Sequence, residues 1–242
     1  MEKKVVPYKK SKLGKKQQVT HMFDTISENY DRLNRVITLG IDLRWRKKVI
    51  SLATEHEPQR VLDVATGTGD LAIALAEKGN AQITGLDISP GMLEVGKQKI
   101  QNKQLSKQID MLIGDSEEIP FEDHTFDTVT VAFGVRNFDN LETGLKEIQR
   151  VLKPKGKLVI LETSVPEKAF FRWGYKIYCQ NYLPLVGRLL SRDEMAYSYL
   201  SESAAQFPHG EKFNNILAKS GFIDIENIPQ TFGAATIYTA SK

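Results

Sequence analysis

A glycine turn between a buried strand and a helix is the feature of this sequence that most constrains its fold. The run from Val61 to Ala65 has the length and the β-branched residues of a buried strand. It breaks at Gly67 and Gly69, and an apolar pattern with helical spacing begins at Leu71. A strand, a glycine turn and a helix in this order present backbone N–H groups to a ligand. The glycines matter because a side chain there would hold the ligand away from the backbone.

Acidic residues end the next two predicted strands. The second strand begins at Gln82 and ends at Asp87, and the third ends at Asp115 with Ser116 directly after it. An acid at the end of the second strand is placed to accept hydrogen bonds from two ribose hydroxyls. The alternative role for Asp87 is to cap the following helix, although Ser89 can do this itself.

The fourth predicted strand, over residues 127–133, is followed by Arg136 and Asn137. Open α/β sheets bind ligands at the carboxyl ends of their strands, so both side chains are candidate donors to a substrate. The alternative is that Arg136 pairs with an acid on the next helix, such as Glu147.

Three more predicted strands complete a seven-stranded, mostly parallel α/β sheet, with the last strand antiparallel. They cover residues 158–163, 222–228 and 234–240. Helical patterns over 17–55 precede the sheet, and we expect them to form a lid that contributes the Tyr30 hydroxyl to a pocket. An aromatic, helix-like insertion over 165–210 is the expected cover for an apolar ligand. We therefore expect one domain over 17–242.

Composition narrows the class of protein. A chain of 242 residues with one cysteine, Cys179, forms no internal disulfide and no multi-cysteine metal site. No run approaches the length of a membrane span, and the N-terminus lacks an apolar signal core, so we expect a cytoplasmic protein.

Residues 1–16 form a basic segment with seven lysines and one glutamate. One interpretation is a solvated, disordered tail. The other is attraction to anionic lipid headgroups, where each lysine contributes about 1 kcal/mol. Nucleic acid is not an expected partner, because no basic groove interleaved with aromatic residues appears elsewhere.

Several segments together resemble a class I methyltransferase dependent on S-adenosylmethionine, with a Rossmann-like fold. More specifically, they resemble the ubiquinone/menaquinone C-methyltransferase family (UbiE/MenG), with similarity from about Val19 to the C-terminus. The matching segments are Val-Leu-Asp-Val-Ala-Thr-Gly-Thr-Gly at 61–69, Met-Phe-Asp-Thr-Ile-Ser-Glu-Asn-Tyr-Asp-Arg-Leu-Asn at 22–34, Phe-Gly-Val-Arg-Asn at 133–137, Arg-Val-Leu-Lys-Pro-Lys-Gly at 150–156 and Tyr-Ser-Tyr-Leu-Ser-Glu-Ser at 197–203.

The resemblance implies C-methylation of a polyprenyl quinol, with S-adenosylmethionine as cofactor and no metal. Demethylmenaquinol is the preferred substrate, and the benzoquinol of ubiquinone biosynthesis is the alternative. We assign Gly67, Thr68 and Gly69 to the methionine end of the cofactor, Asp87 to its ribose, and Asp115 and Ser116 to its adenine. Arg136 and Asn137 are expected at the quinol, and Tyr30 is a further catalytic candidate.

Such a substrate implies a peripheral site at the inner face of the plasma membrane, and a homodimer is a further partner to test. Asp42 and Leu43 stand where the family tends to have His and Arg, and Lys155 replaces a glycine. Two other functions stay open. The turn also fits the fingerprint of an NAD-dependent oxidoreductase, and the fold allows a non-catalytic protein that binds quinones or lipids.

Overall fold

A seven-stranded sheet runs through the computed structural model of the protein, which describes residues 5–178, 182 and 194–242. The strands are β1 (Arg60–Val64), β2 (Gln82–Asp87), β3 (Ile109–Ile113), β4 (Phe126–Ala132), β5 (Leu152–Thr163), β6 (Ile223–Gln230) and β7 (Ala235–Ser241). The described helices are α1 (Lys15–Ile26), α2 (Tyr30–Ile37), α3 (Asp42–Ala53), α4 (Asp70–Lys78), α5 (Pro90–Asn102), α6 (Leu141–Val151), α7 (Ala169–Ile177), α8 (Glu194–Gln206) and α9 (Glu211–Lys219). Short 3-10 turns cover Ser27–Asn29, Val135–Asn137 and Thr231–Gly233.

The order of the strands places a crevice at the centre of the sheet. The order is β3-β2-β1-β4-β5-β7-β6, with β1 to β5 parallel and β7 antiparallel to both of its neighbours. The mostly parallel sheet with an antiparallel last strand is therefore confirmed. The chain runs outward from β1 in both directions, and ligands of open α/β sheets bind at such a switch point.

Alternate side chains of the central strands enter two cores, one on each face of the sheet. Leu62 and Val64 of β1 pack on the face that α6 and α9 cover, whereas Val61 faces α3 and α4. This alternation follows from the two-residue period of a strand, and it makes the domain a three-layer α/β/α structure.

The N-terminal helices form a separate layer beside the sheet edge. Val19 and Met22 of α1 pack against Met92 of α5 and Tyr199 of α8. Helix α1 already begins at Lys15. The predicted disordered tail over 1–16 is therefore wrong for its last two lysines, because both belong to a helix that packs on the domain.

The connection between α2 and α3 explains one departure from the family pattern. Asp42 is buried at the start of α3, where it pairs with Arg35 and accepts a hydrogen bond from Thr38 Oγ1 over 2.7 Å. Arg46 Nε lies 3.5 Å from the same carboxylate. Asp42 thus joins two helices of the lid rather than facing a ligand.

The insertion after β5 is helical where it is described, in α7 and α8. The predicted span of 165–210 also includes residues 179–181 and 183–193, and Cys179 among them, which lie outside the described residues. Strand β5 begins at Leu152, six residues before the predicted start, because Leu152 already pairs with Phe126 of β4, although the register shifts before Lys157 pairs with Thr128. None of the described helices is long and apolar enough to cross a membrane.

Candidate active site

A cleft opens at the carboxyl ends of the central strands. Its floor comes from the ends of β1, β2 and β4 and from the loop after β3, and α1 and α2 form its outer wall. Side chains and backbone of the following residues line it: Lys16, Val19, Phe23, Tyr30, Val64, Ala65, Gly67, Leu86, Asp87, Ile88, Met92, Gly114, Asp115, Ser116, Glu117, Ala132, Phe133, Gly134, Asn137, Phe138 and Asp139.

The glycine turn enters this cleft through Gly67 rather than Gly69. Gly67 has φ +58°, and the nearest atom to a Cβ built there is Tyr30 Cε1 at 4.0 Å. A side chain at this position would therefore project toward the ligand space and strain the backbone. Gly69 lies outside the cleft wall, where its left-handed φ of +75° begins α4. Its contribution is to shape the turn.

Asp87 is a buried carboxylate at the cleft wall. Its Oδ2 accepts the Gly67 N–H over 2.8 Å, and its Oδ1 accepts the Ser89 N–H over 2.9 Å. Burial raises the pKa of Asp87, and these backbone hydrogen bonds oppose the rise. Two carboxylate oxygens have about four lone-pair sites, so acceptor capacity remains for a ligand. Ser89 Oγ accepts from Met92 N, which confirms Ser89 as the N-cap of α5, and Asp24 Oδ1 accepts the Gly91 N–H beside it.

Asp115 and Ser116 lie on the same wall, one strand further along. The Asp115 carboxylate forms an ion pair with Lys16 of α1, and Lys16 Nζ also lies 3.6 Å from Glu117 Oε2. The hydrogen bond to Asp115 raises the pKa of Lys16, although burial opposes this. Helix α1 is thus tied to the cleft across its open side.

Thr68 does not face the cleft. Its Oγ1 donates to Asp31 Oδ1 over 2.6 Å and accepts from Lys99 Nζ over 3.2 Å. Lys99 also pairs with Asp31 over 2.8 Å and with Asp70 at the start of α4. The hydroxyl is therefore part of an ionic network that fastens α2 to the glycine turn and to α5.

Tyr30 and Asn137 both line the cleft. Asn137 Oδ1 accepts a hydrogen bond of 3.1 Å from the hydroxyl of Tyr199, a buried residue of α8. Burial raises the pKa of Tyr30, and it raises that of Tyr199 to about 12. Both phenols therefore stay neutral, and Tyr199 is the donor to Asn137.

Arg136 lies behind the cleft wall instead of in it. Its NH1 donates to Glu162 Oε1 and to the Phe133 carbonyl, each over 2.7 Å. Burial lowers the pKa of Arg136, but the Glu162 carboxylate raises it, and the net change is upward. The predicted alternative partner is wrong, because Glu147 pairs with Arg150.

Two atoms of this buried pair have no hydrogen-bond partner among the described residues. They are Arg136 Nε and Glu162 Oε2. Glu162 was missed at the sequence level, although a charged residue at the carboxyl end of an apolar strand was the available signal. Lys99 was also missed, since only the folded chain brings α5 beside α2 and pairs Lys99 with Asp31.

Comparison with known families shows the family to which the chain belongs. The model of the ubiE/COQ5 methyltransferase family matches residues 11–242. This chain belongs to the ubiE/COQ5 methyltransferase family. The match covers every element that lines the cleft, including both helices of the outer wall.

Curated relatives of this ubiE/COQ5 family member align over almost their whole length. A protein of Bacteroides fragilis named demethylmenaquinone methyltransferase is 44% identical over 100% of this chain and 98% of its own. A protein of Geobacter sulfurreducens named ubiquinone/menaquinone biosynthesis C-methyltransferase UbiE is 42% identical over 100% of this chain and 94% of its own.

A solved structure supports the fold of this family member. The crystal structure of a SAM-dependent methyltransferase from Thermotoga maritima aligns with a TM-score of 0.61 and 20% identity, covering 92% of this chain and 99% of that one. At this identity the likeness concerns the fold alone.

Among the residues with assigned structure, no group of three or more His, Cys, Asp or Glu side chains could hold a metal ion.

Proposed function

We propose that this ubiE/COQ5 family member transfers a methyl group from S-adenosylmethionine to a ring carbon of demethylmenaquinol, which gives menaquinol. The observation that carries the proposal is the cleft, which is lined both by carboxylates at strand ends and by side chains that can donate hydrogen bonds. Relatives that are 41–44% identical and named demethylmenaquinone methyltransferase support the choice of reaction.

The residues present fit the cofactor. Asp87 offers unused acceptor capacity to ribose hydroxyls, and Asp115 and Ser116 offer polar groups for an adenine. Apolar side chains such as Leu86, Ile88 and Met92 lie between them and suit a purine ring. The open space beside Gly67 suits the methionine end. Thr68 and Gly69 support this cradle from behind, through the ionic network and the shape of the turn.

S-adenosylmethionine would supply an electrophilic methyl group: the methyl–sulfur bond breaks as the bond to the ring carbon forms, S-adenosylhomocysteine leaves, and the proton of that ring carbon passes to water. Reactivity then depends on the electron density of the ring carbon, which rises when the quinol is reduced and rises further when a hydroxyl loses its proton. Asn137 and Tyr30 can donate hydrogen bonds to that oxygen and stabilise its negative charge. They can also orient the ring carbon toward the methyl group, where a separation of about 3–3.5 Å is productive.

Arg136 contributes at longer range. It does not line the cleft, but its charge lowers the pKa of Tyr30 against the effect of burial, so its field reaches the cleft wall. A fixed cation in a site of low dielectric stabilises a developing phenolate more strongly than it would in water. We propose that Glu162 holds this guanidinium in place and that Tyr199 holds Asn137.

The benzoquinol of ubiquinone biosynthesis is the second candidate substrate, since relatives that are 42% identical carry the UbiE name. A methyl-transfer assay that offers both reduced quinols separately, with the purified protein and S-adenosylmethionine, tests the choice. We expect methylation of the naphthoquinol with the higher kcat/KM. Methylation of the benzoquinol alone would show that the benzoquinol is the substrate. Methylation of neither quinol would refute the proposal.

The hydrophobic polyprenyl tail of either quinol belongs in a bilayer. We therefore also propose that the protein works at a membrane surface while its catalytic cleft stays in water. The lysines of the N-terminal segment support this proposal through their attraction to anionic lipids.

A further inference from the structure

An apolar face of α7 is open to solvent. Phe170 is 77% exposed and Trp173 is 65% exposed. They are three residues apart, so they lie on the same face of the helix. Large aromatic side chains are seldom left in water without a reason, and a group of them marks an interaction surface.

Neighbouring elements extend this face. Phe232 is 70% exposed at its position between β6 and β7, and its ring stacks on Phe171 of α7 with 4.2 Å between the centroids. Thr231, next to it, accepts a hydrogen bond of 2.8 Å from Trp45 of α3. Helix α7 and α3 are therefore joined through the turn at 231–233.

The corner between α2 and α3 adds two exposed leucines, Leu39 and Leu43. The Tyr178 hydroxyl, directly after α7, donates a hydrogen bond to the Ile37 carbonyl at the end of α2. This bond places the corner beside α7. Phe170, Trp173, Phe232, Leu39 and Leu43 together are called the apolar face below.

Basic side chains accompany the apolar face on both of its helices. Lys168 and Arg172 are exposed at the start of α7, and Arg44, Lys47 and Lys48 are exposed on α3. Glu167 is an exposed acid among these neighbours. Aromatic and aliphatic groups with a rim of lysine and arginine suit the boundary of an anionic bilayer, since the rings enter the headgroup region and the cations meet phosphates.

We infer that the apolar face docks the protein on an anionic lipid bilayer. The inference rests on the proposed function for its purpose, because a polyprenyl quinol must be met at a membrane. Its position also fits, since Trp45 of α3 packs on Phe133, with centroids 6.2 Å apart, and Phe133 lines the cleft. The docking surface and the cleft thus share one structural unit.

The two tryptophans of the chain give a direct readout. Trp45 is buried and Trp173 is exposed, so a change in fluorescence on adding vesicles reports on Trp173. The experiment titrates the full chain and a Trp45→Phe variant with phosphatidylcholine vesicles, with and without phosphatidylglycerol. We expect a blue shift with anionic vesicles for both proteins, and quenching of this emission by brominated lipids.

A Phe170→Ser/Trp173→Ser variant tests whether the face is responsible, with co-sedimentation as the measurement. We expect its affinity for anionic vesicles to fall by about tenfold or more. Ile223→Ser is the matched control, because Ile223 is 57% exposed but lies on β6. It should bind as the native protein does. Native affinity of the double variant, or equal binding to neutral and anionic vesicles, would overturn the inference.

A short-chain quinol that dissolves in water separates this inference from the proposed function. Without vesicles, the native protein and the double variant should methylate it with the same kcat/KM. Methylation of this quinol together with no fluorescence shift would refute docking and leave the methyltransferase proposal standing. A fluorescence shift with vesicles, together with no methylation of this quinol, would refute the proposed reaction and leave docking standing.

Discussion

Arg136 donates a hydrogen bond of 2.7 Å to Glu162, and neither side chain lines the cleft. The Arg136 side chain is 8% exposed, and that of Glu162 is 0% exposed. Removing two charges from water is costly, so a buried ion pair is weak evidence of stabilisation by itself. The pair holds the Arg136 guanidinium carbon 5.9 Å from the centroid of the Phe133 ring, and we propose that this cation serves the reaction.

Glu162→Gln should reduce both stability and turnover. It leaves the buried guanidinium without its carboxylate, which costs about 3–5 kcal/mol of unfolding free energy. Turnover should fall by about tenfold or more, because the cation is no longer held beside the cleft. Urea unfolding and a methyl-transfer assay, at a temperature where the variant is folded, measure the two effects, and cofactor affinity should change little.

The double variant Arg136→Met/Glu162→Met separates these effects. Replacing a buried ion pair by apolar residues of similar volume is often neutral or stabilising, so unfolding free energy should recover. Turnover should stay low, because no cation remains. Native turnover in this variant would show that the pair only supports the fold.

Asp87→Asn should weaken cofactor binding. Hydrogen bonds to a charged group are worth about 1.5–3 kcal/mol, which corresponds to about 10- to 100-fold in the dissociation constant. The amide also places a donor against the Gly67 or Ser89 N–H, which adds to the loss. Calorimetry with S-adenosylmethionine measures it. Asp110→Asn, at an exposed position of β3, is the control, and an unchanged constant for Asp87→Asn would remove this residue from the ribose.

Tyr199→Phe should lower turnover without affecting cofactor affinity. The variant removes the donor to Asn137, and a neutral hydrogen bond is worth about 0.5–1.5 kcal/mol, or about 2- to 10-fold. Tyr238→Phe is a matched control, since its hydroxyl accepts the Gly210 N–H over 3.0 Å. The positioning role of Tyr199 predicts a lower kcat for its variant alone. Equal losses in both variants would point to a general effect on stability.

The ionisation of Asp63 should lower the free energy of unfolding as the pH rises. Burial raises its pKa to about 6, although the Thr66 and Thr130 hydroxyls oppose the rise. Because the ordinary aspartate value in the unfolded chain is about 3.9, the folded state favours the protonated form. Asp63 contributes about 3 kcal/mol to the free energy of unfolding in this way. The contribution is fully present below about pH 4 and is lost as the pH rises through about 6.

Comparison with Asp63→Asn isolates this effect from the other carboxylates. Urea melts at a series of pH values give the free energy of unfolding of both proteins. Between about pH 4 and 7, the native protein should lose stability relative to the variant. A constant difference across that range would show that Asp63 has an ordinary pKa in the folded protein.

The positions of the carboxylates could be predicted from the sequence, because the ends of parallel strands meet at one edge of a sheet. Asp87 and Asp115 follow predicted strands, and both line the cleft. The alternation of predicted strands and helices also predicted an open α/β sheet that binds ligands at the carboxyl ends of its strands, whereas the switch point between β1 and β4 came from the structure. The position of a strand end depends on the course of the backbone, which local hydrophobic patterns predict well.

The partners of individual side chains could not be predicted in the same way. Arg136 and Glu162 are separated by 26 positions, and their contact depends on the pairing of β4 with β5. Thr68 sits in the glycine turn, yet its hydroxyl points to Asp31 of the lid. Such orientations follow from packing between elements that are distant in sequence, so the residue pattern alone leaves them open.

The central claim is methyl transfer to a carbon of a reduced quinol ring, and one measurement tests it most directly. The purified protein is incubated with S-adenosylmethionine that carries a labelled methyl group, and with demethylmenaquinone in its reduced or its oxidised form. We predict one labelled methyl group on the ring carbon of the reduced form, located by mass spectrometry and NMR, and none on the oxidised form. An unmethylated reduced quinol, with folded protein that binds the cofactor, would contradict the account.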